Sequence, residues 1–194
     1  MSLPSTDFIT PAEYLEIERK AEIKSEYIDG RMYAMSGASE PHGIIIWNLA
    51  GELHNQMRGR NCRAYIADMR VKVSPTGMYT YPDIAALCGE PRLEDAHVDT
   101  LLNPTVIVEV LSQSTEAYDR GEKFAHYRRL ESLREYVLVA QNKMRVEYFR
   151  REGEEWILSE ISEPQGTLHL PSIDCHVPLA AIYEKVDFSP PAAT

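Results

Sequence analysis

The segment Thr105 to Leu111, TVIVEVL, constrains this chain most. Val106, Ile107, Val108 and Val110 are β-branched, and both faces of the run are apolar. Such a run predicts a strand covered on both sides, as in the centre of an α/β sheet. Glu109 stands near its end. An ionised carboxylate there is strongly disfavoured unless it is paired, hydrogen-bonded or bound to a metal. Alternation puts Glu109 on the face of Ile107 and Leu111, with Val106, Val108 and Val110 on the other. Three partners fit: a cation of the protein, a metal ion, or water at an open strand end.

The surrounding pattern alternates helix and strand. TPAEYLEIER predicts a short helix with Thr10 as N-cap, Pro11 at N1 and Glu13 closing a capping box. SEYIDGRMYAM predicts a hairpin about Asp29-Gly30. A long helix from about His42 to Arg58 follows, with Ile45, Leu49 and Leu53 as its buried stripe. CRAYIADMRVKVS predicts a half-buried strand, Met69, Val71 and Val73 inward and Arg70 and Lys72 outward. YPDIAALC gives another strand, and GEPRLEDAHVDTLLN a polar connector. After the Glu109 strand, STEAYDRGEKFAHYRRLESL predicts a helix with Ser114 as N-cap and Glu116 in its first turn. EYVLVA returns as a strand, a right-handed crossover candidate, and a meander to about Ser162 follows. VPLAAIYEKV predicts a short helix, and 187–194 a flexible tail. The expected fold class is α/β (α+β): a mixed central sheet flanked by helices, with an N-terminal helix and hairpin, in a single domain over 1–194.

Composition excludes several classes. No apolar run approaches a membrane span of about 20 residues, and no secretory signal opens the chain, so no membrane partner and a cytoplasmic location are expected. Cys62, Cys88 and Cys175 lack a C-x-x-C pair and predict three reduced thiols. There is no P-loop, dinucleotide fingerprint or serine-hydrolase elbow. Lys and Arg number 20 against 30 Asp and Glu, a net charge of −10. Nucleic acid would therefore bind only through a local basic patch, a metal ion, or both.

A second carboxylate stands in a setting like that of Glu109. Asp83 opens an apolar strand after Pro82, which has no N–H for a ladder. If the two strands are neighbours, Asp83 and Glu109 converge and repel unless a cation lies between them. Carboxylate oxygens with open positions suit Mg²⁺ or Mn²⁺. A protein cation is also at hand: Asp119, Lys123 and Tyr127 run along one side of the following helix. Gly121 predicts close approach to a neighbouring element. Each residue has a plainer reading: a salt-bridged Glu109, turn chemistry at Asp83, an exposed Asp119–Lys123 pair, and His42 as a helix-start residue only.

Pro82-Asp83, a gap of roughly 25 residues, then VIVEVLS resemble the P-D…(D/E)-x-K pattern of restriction-endonuclease-like nucleases. More closely, YPDIAAL, PTVIVEVLSQSTEAYDRGEKFAHYRRL and EYVLVAQNKMRVEYFRR resemble the Uma-type restriction endonucleases. The chain departs at Leu111, where the superfamily's lysine would stand; Lys123 matches the position to which that lysine has moved. The resemblance implies a Mg²⁺- or Mn²⁺-dependent endonuclease hydrolysing DNA phosphodiesters. Asp83, Glu109 and the Val110 backbone carbonyl would hold the ion, Lys123 would assist, and Glu26, His42 and Tyr127 would support. Cutting both strands implies a homodimer. A non-cleaving module of the same fold, binding nucleic acid or protein, is the alternative. A hydrolase of small phosphate esters is a third.

Overall fold

The computed structural model describes residues 8–35 and 37–188. Helix α1 (Pro11–Glu18) starts on its predicted capping box, Thr10 and Glu13 each accepting the other's backbone N–H. The hairpin β1 (Ser25–Ile28) and β2 (Arg31–Ala34) turns at Asp29-Gly30, both at positive φ. Helix α2 (Glu40–Met57), capped by Ser39, buries Ile45, Leu49 and Leu53 completely.

Six strands form the large sheet. They are β3 (Cys62–Ile66), β6 (Ile84–Cys88), β8 (Val106–Leu111), β9 (Glu135–Ala140), β10 (Val146–Glu152) and β11 (Glu155–Ile161). Their order is β11-β10-β9-β8-β6-β3. Within this sheet, among the described residues, only β8 and β9 pair in parallel, and a helical connection joins them. One face carries Val106, Val108 and Val110 against α2 and the C-terminal elements. The other carries Ile107 and Leu111 against Phe124, Tyr127 and Tyr136. The alternation predicted for TVIVEVL thus divides the molecule into two cores. A Leu49→Ala cavity in the first would cost about 2–5 kcal/mol.

A smaller sheet of order β2-β1-β5-β4-β7 adds β4 (Arg70–Val73), β5 (Met78–Thr80) and β7 (Thr100–Leu101). The segment predicted as one strand from Cys62 is therefore two, in different sheets. Ala67 at positive φ and the Asp68 N–H on the Ile66 carbonyl end β3 before β4 begins. Arg70 points inward, 3% exposed, onto Tyr81, Thr100 and Asp99, contrary to its predicted outward side. β7 lies in what was predicted as connector.

The helical connection after β8 is short and broken. It comprises α3 (Glu116–Tyr118), a π turn (Asp119–Lys123) and α4 (Phe124–Tyr127). Ser114 is not its N-cap: Thr115 is, without a side-chain cap bond, and its N–H goes to the Ser112 hydroxyl. A Cβ at Gly121 would meet nothing within 4 Å, so that glycine does not mark a close approach. It lies instead inside the π turn.

The C-terminal hairpin β12 (Thr167–Leu170) and β13 (Cys175–Pro178) was not predicted; α5 (Leu179–Ile182) was. The predicted thiol state is corrected as well: Cys62 and Cys88 stand opposite each other on β3 and β6 and form a disulfide. Cys175 is free and buried. Of the predicted tail, 189–194 lie outside the described residues. Among the described residues, no helix is long and apolar enough to cross a membrane.

Candidate active site

The chain passes from the small sheet to the large one through Tyr81-Pro82-Asp83, between β5 and β6. Pro82 supplies no N–H, and the β6–β8 ladder stops at Ile84 opposite Val108. The next donor on that edge of β8 is the Val110 N–H, and the Asp83 carboxylate takes it at 2.7 Å. A residue's N–H and C=O leave an extended strand on the same side, so the Val110 carbonyl belongs to this edge too. The other Asp83 oxygen lies 3.0 Å from Nε2 of His42, in the first turn of α2. Asp83 thus joins helix and sheet while its side chain stays 17% exposed.

Glu109 is 4% exposed. Its Oε1 accepts from the Tyr127 hydroxyl at 2.9 Å and pairs with the Lys123 ammonium at 3.0 Å. Lys123, itself buried, also reaches Glu26 at 3.1 Å and Asp119 at 3.6 Å. The Thr80 hydroxyl donates to Glu26 and lies 3.2 Å from the Tyr127 hydroxyl. Lys123 closes the π turn, a feature enriched at functional sites because it re-aims side chains within a helix. The open strand end is therefore met by an ammonium from the helix, while Leu111 stays in the core.

The electrostatics are one-sided. Burial pushes the Glu109 carboxyl well above its ordinary pKa; Lys123 opposes this, and Asp119, Asp83 and Glu26 add to it. Asp119 is raised by burial as well. Burial alone would lower the Lys123 pKa, but Glu109, Glu26, Tyr127 and Asp119 together outweigh it and hold the proton firmly. The Tyr127 phenol is raised well above normal by burial and then by Glu109. Four carboxylates thus share one ammonium and the His42 ring. Beside Glu26 opens a cavity of about 410 Å³ walled partly by Ile28, Tyr33 and Tyr118. The Tyr118 hydroxyl is buried there without a partner among the described residues.

The structure brings Asp83, Glu109, Lys123, Glu26, His42 and Tyr127 into two linked groups: Asp83 with His42, and the other four around Glu109. Thr80 was not singled out from the sequence, and Asp119 was noted only for its helical spacing. Thr80 precedes the Tyr-Pro-Asp crossing and is fully buried, a context no local pattern announces. A divalent ion would find suitable oxygen donors and a surplus of negative charge here. Among the described residues, no three His, Cys, Asp or Glu side chains are already gathered as a metal site. The carbonyl of Val110 would have to complete the set.

Known proteins resemble this chain. The family described as "Putative restriction endonuclease", Uma2, matches residues 11–180. The uncharacterized protein sll1609 of Synechocystis sp. is 35% identical over 162 residues, covering 83% of this chain and 92% of that one. The uncharacterized protein slr1290 of the same organism is 34% identical over 188 residues, covering 95% and 97%. A crystal structure described as a putative nuclease belonging to DUF820, from Anabaena variabilis, superposes with a TM-score of 0.76 at 19% identity, covering 90% of this chain and 97% of that one. That likeness establishes the fold, and the family match establishes kinship: the chain belongs to the Uma2 family.

Proposed function

We propose that this protein is a metal-dependent endonuclease that hydrolyses DNA phosphodiester bonds at the Asp83–Glu109–Lys123 site. The observation that carries the proposal is a buried excess of carboxylate at a strand end, with an ammonium placed against it. Such a surplus is costly to folding and so points to a ligand that relieves it. Asp83, Glu109 and the Val110 carbonyl would hold Mg²⁺ or Mn²⁺, an ion that supplies Lewis-acid activation of water and charge neutralisation at a phosphate. Hydrolysis breaks one P–O bond, forms another to water, and leaves a phosphate monoester and a hydroxyl. Lys123 offsets the extra negative charge on the phosphate as that exchange proceeds. Tyr127 holds the Glu109 carboxylate in one orientation, and His42 does the same for Asp83. Glu26 and Asp119 keep Lys123 charged.

Double-strand cutting calls for two such sites and hence for a pair of chains, which sedimentation of the protein on duplex DNA would show. The direct test is incubation of supercoiled, linear and single-stranded DNA with Mg²⁺ or Mn²⁺. Cleavage that disappears in both Asp83→Asn and Glu109→Gln is the expected result. No cleavage, or cleavage that survives both changes, defeats the proposal.

One observation favours a second reading. Lys123 already satisfies Glu109 and Glu26 directly, which suits a module that binds without cutting. Calorimetry separates the two: heat of Mn²⁺ binding that is lost in Glu109→Gln supports the nuclease, and no binding at millimolar Mn²⁺ supports the module.

A further inference from the structure

We infer that the groove between α2 and β3 is the track for a single-stranded nucleic acid segment leading to the Asp83–Glu109 site. The inference rests on the nuclease reading and names the surface that reading lacks. The groove has a volume of about 660 Å³. Its fourteen lining residues include three arginines, Arg58, Arg60 and Arg63, and His54, and no acid. That composition stands out in a chain with 20 basic and 30 acidic residues. Nucleic acid cannot be drawn to the molecule by its overall charge, so a local acid-free basic strip is what binding requires.

The side chains are disposed for that ligand. The Arg58 and Arg63 guanidinium groups hydrogen-bond to the neutral amides of Asn55 and Asn61 and, among the described residues, pair with no acid, so their charge is available. Arg60 is committed to the Ile173 and Asp174 carbonyls, with the Asp174 carboxylate 3.9 Å away, so it anchors the rim. Trp47, on the groove side of α2, is 77% exposed. A large exposed indole among cations fits the face of an unpaired base, which stacks on it without regard to sequence. A base paired inside a duplex does not present that face.

Position supports the same occupant. Ile84 lines the groove and directly follows Asp83. Opposite it, β3 ends at Ile66, and the next residue, Ala67, donates its N–H to the Asp83 carbonyl at 3.0 Å. His42, which touches Asp83, lies on the same helix as Trp47. The strip therefore begins beside Asp83, on the α2 side of the sheet, and runs away from it between α2 and β3. A second copy of the chain suits it less well: β3 is an edge strand, but an isologous contact would set the arginines of one copy against those of the other.

The test is fluorescence anisotropy of a labelled oligodeoxythymidylate of about 20 nucleotides, long enough to span several stacking sites. A chelator is present so that nothing is cut. Trp47→Ala should weaken binding by about tenfold. Arg58→Ala with Arg63→Ala should weaken it and reduce the log–log salt slope by about 1.4, two single-strand phosphate contacts. Arg128→Ala with Arg129→Ala, at an exposed helix end elsewhere, should bind as wild type does. Asp83→Asn should bind in the chelator and, with Mg²⁺ or Mn²⁺ supplied in its place, should not cut. Undiminished binding by the groove variants overturns the inference, even if the enzyme cleaves. So does absence of binding by the wild type, tighter binding of a duplex of equal length, or a change only in self-association. Loss of binding in the groove variants, with no cleavage by the wild type, retires the nuclease reading and leaves the groove standing.

Discussion

Two ionic clusters meet at the end of β5, one buried and one partly exposed, and they have opposite character. Thr80 turns its hydroxyl into the Glu26–Lys123–Glu109 group, while Tyr81, the next residue, turns its own toward Glu18 and Arg70. In the second cluster Arg19 pairs with Asp95 at 2.7 Å and Asp99 at 2.8 Å, and Arg70 with Asp99 at 2.7 Å. Glu18 takes the Ser25 N–H as well as the Tyr81 hydroxyl. Two cations serve two acids there, Asp95 and Asp99. The Arg19 hydrogen bond, and then the Arg70 charge, hold Asp99 well below the usual carboxylate range. In the first cluster one ammonium serves three acids, with Asp83 close by, and the Glu109 and Asp119 carboxyls are pushed up. Thr80, the last residue of β5, and Tyr81 just after it thus feed an unbalanced cluster that needs something more and a balanced one that ties elements together. The balanced cluster stabilises the fold; the unbalanced one is what motivates the proposed site.

That contrast can be broken by substitution. The largest expected effect is on cleavage: Glu109→Gln or Asp83→Asn should lower it by about 10³-fold or more. Arg70→Met should leave the chemistry alone but cost about 1.5–3 kcal/mol in denaturant unfolding, because it removes the charged partner of the Tyr81 and Thr100 hydroxyls and one of the two cations on Asp99. A loss under about 1 kcal/mol would mean that the second cluster holds nothing together.

In a chelator, Glu109→Gln should stabilise the protein by about 1–2 kcal/mol at neutral pH, since it removes one of four crowded acids. The pH dependence sharpens this. A carboxyl whose folded pKa is raised contributes its stability fully below the unfolded value near 4, and loses it as pH rises through the folded value. The advantage of Glu109→Gln should therefore grow from pH 5 to pH 8; a constant or shrinking advantage would contradict the crowding. Asp99 has the opposite sign. Its folded pKa is depressed, so its contribution is present above about pH 4 and is lost as pH falls toward the folded value. Asp99→Asn should cost about 1 kcal/mol at pH 7, after allowance for solvent screening, and less at pH 3, where the unfolded carboxyl is already mostly protonated. An equal cost at both pH values would remove the ionic role.

Much of the site was legible because it lies on strongly patterned elements. TVIVEVL could only be a covered strand, and a glutamate in it demanded a partner. Pro82 marked where the neighbouring ladder ends, and the spacing of Asp119, Lys123 and Tyr127 marked one side of a helix. The kinship with restriction endonucleases was legible in the same segments. What escaped depended on distant contacts. Arg70 alternates with Val71 as an outward residue should, yet Asp99, 29 residues later, draws it inside. Cys62 and Cys88 are 26 residues apart, and only the β3–β6 register sets them face to face. The π turn at Asp119–Lys123 keeps a helical spacing in sequence while altering the backbone that carries Lys123. Thr80 enters the site because the chain changes sheets just after it.

The most direct test of the central claim is the thermal unfolding of the protein titrated with Mn²⁺. If the crowded carboxylates form an ion site, stability should rise with Mn²⁺, reaching about 2.7 kcal/mol at a hundred times the dissociation constant. The rise should vanish in both Asp83→Asn and Glu109→Gln and persist in Asp99→Asn. A wild-type protein indifferent to Mn²⁺, or a rise that both site variants retain, would contradict it.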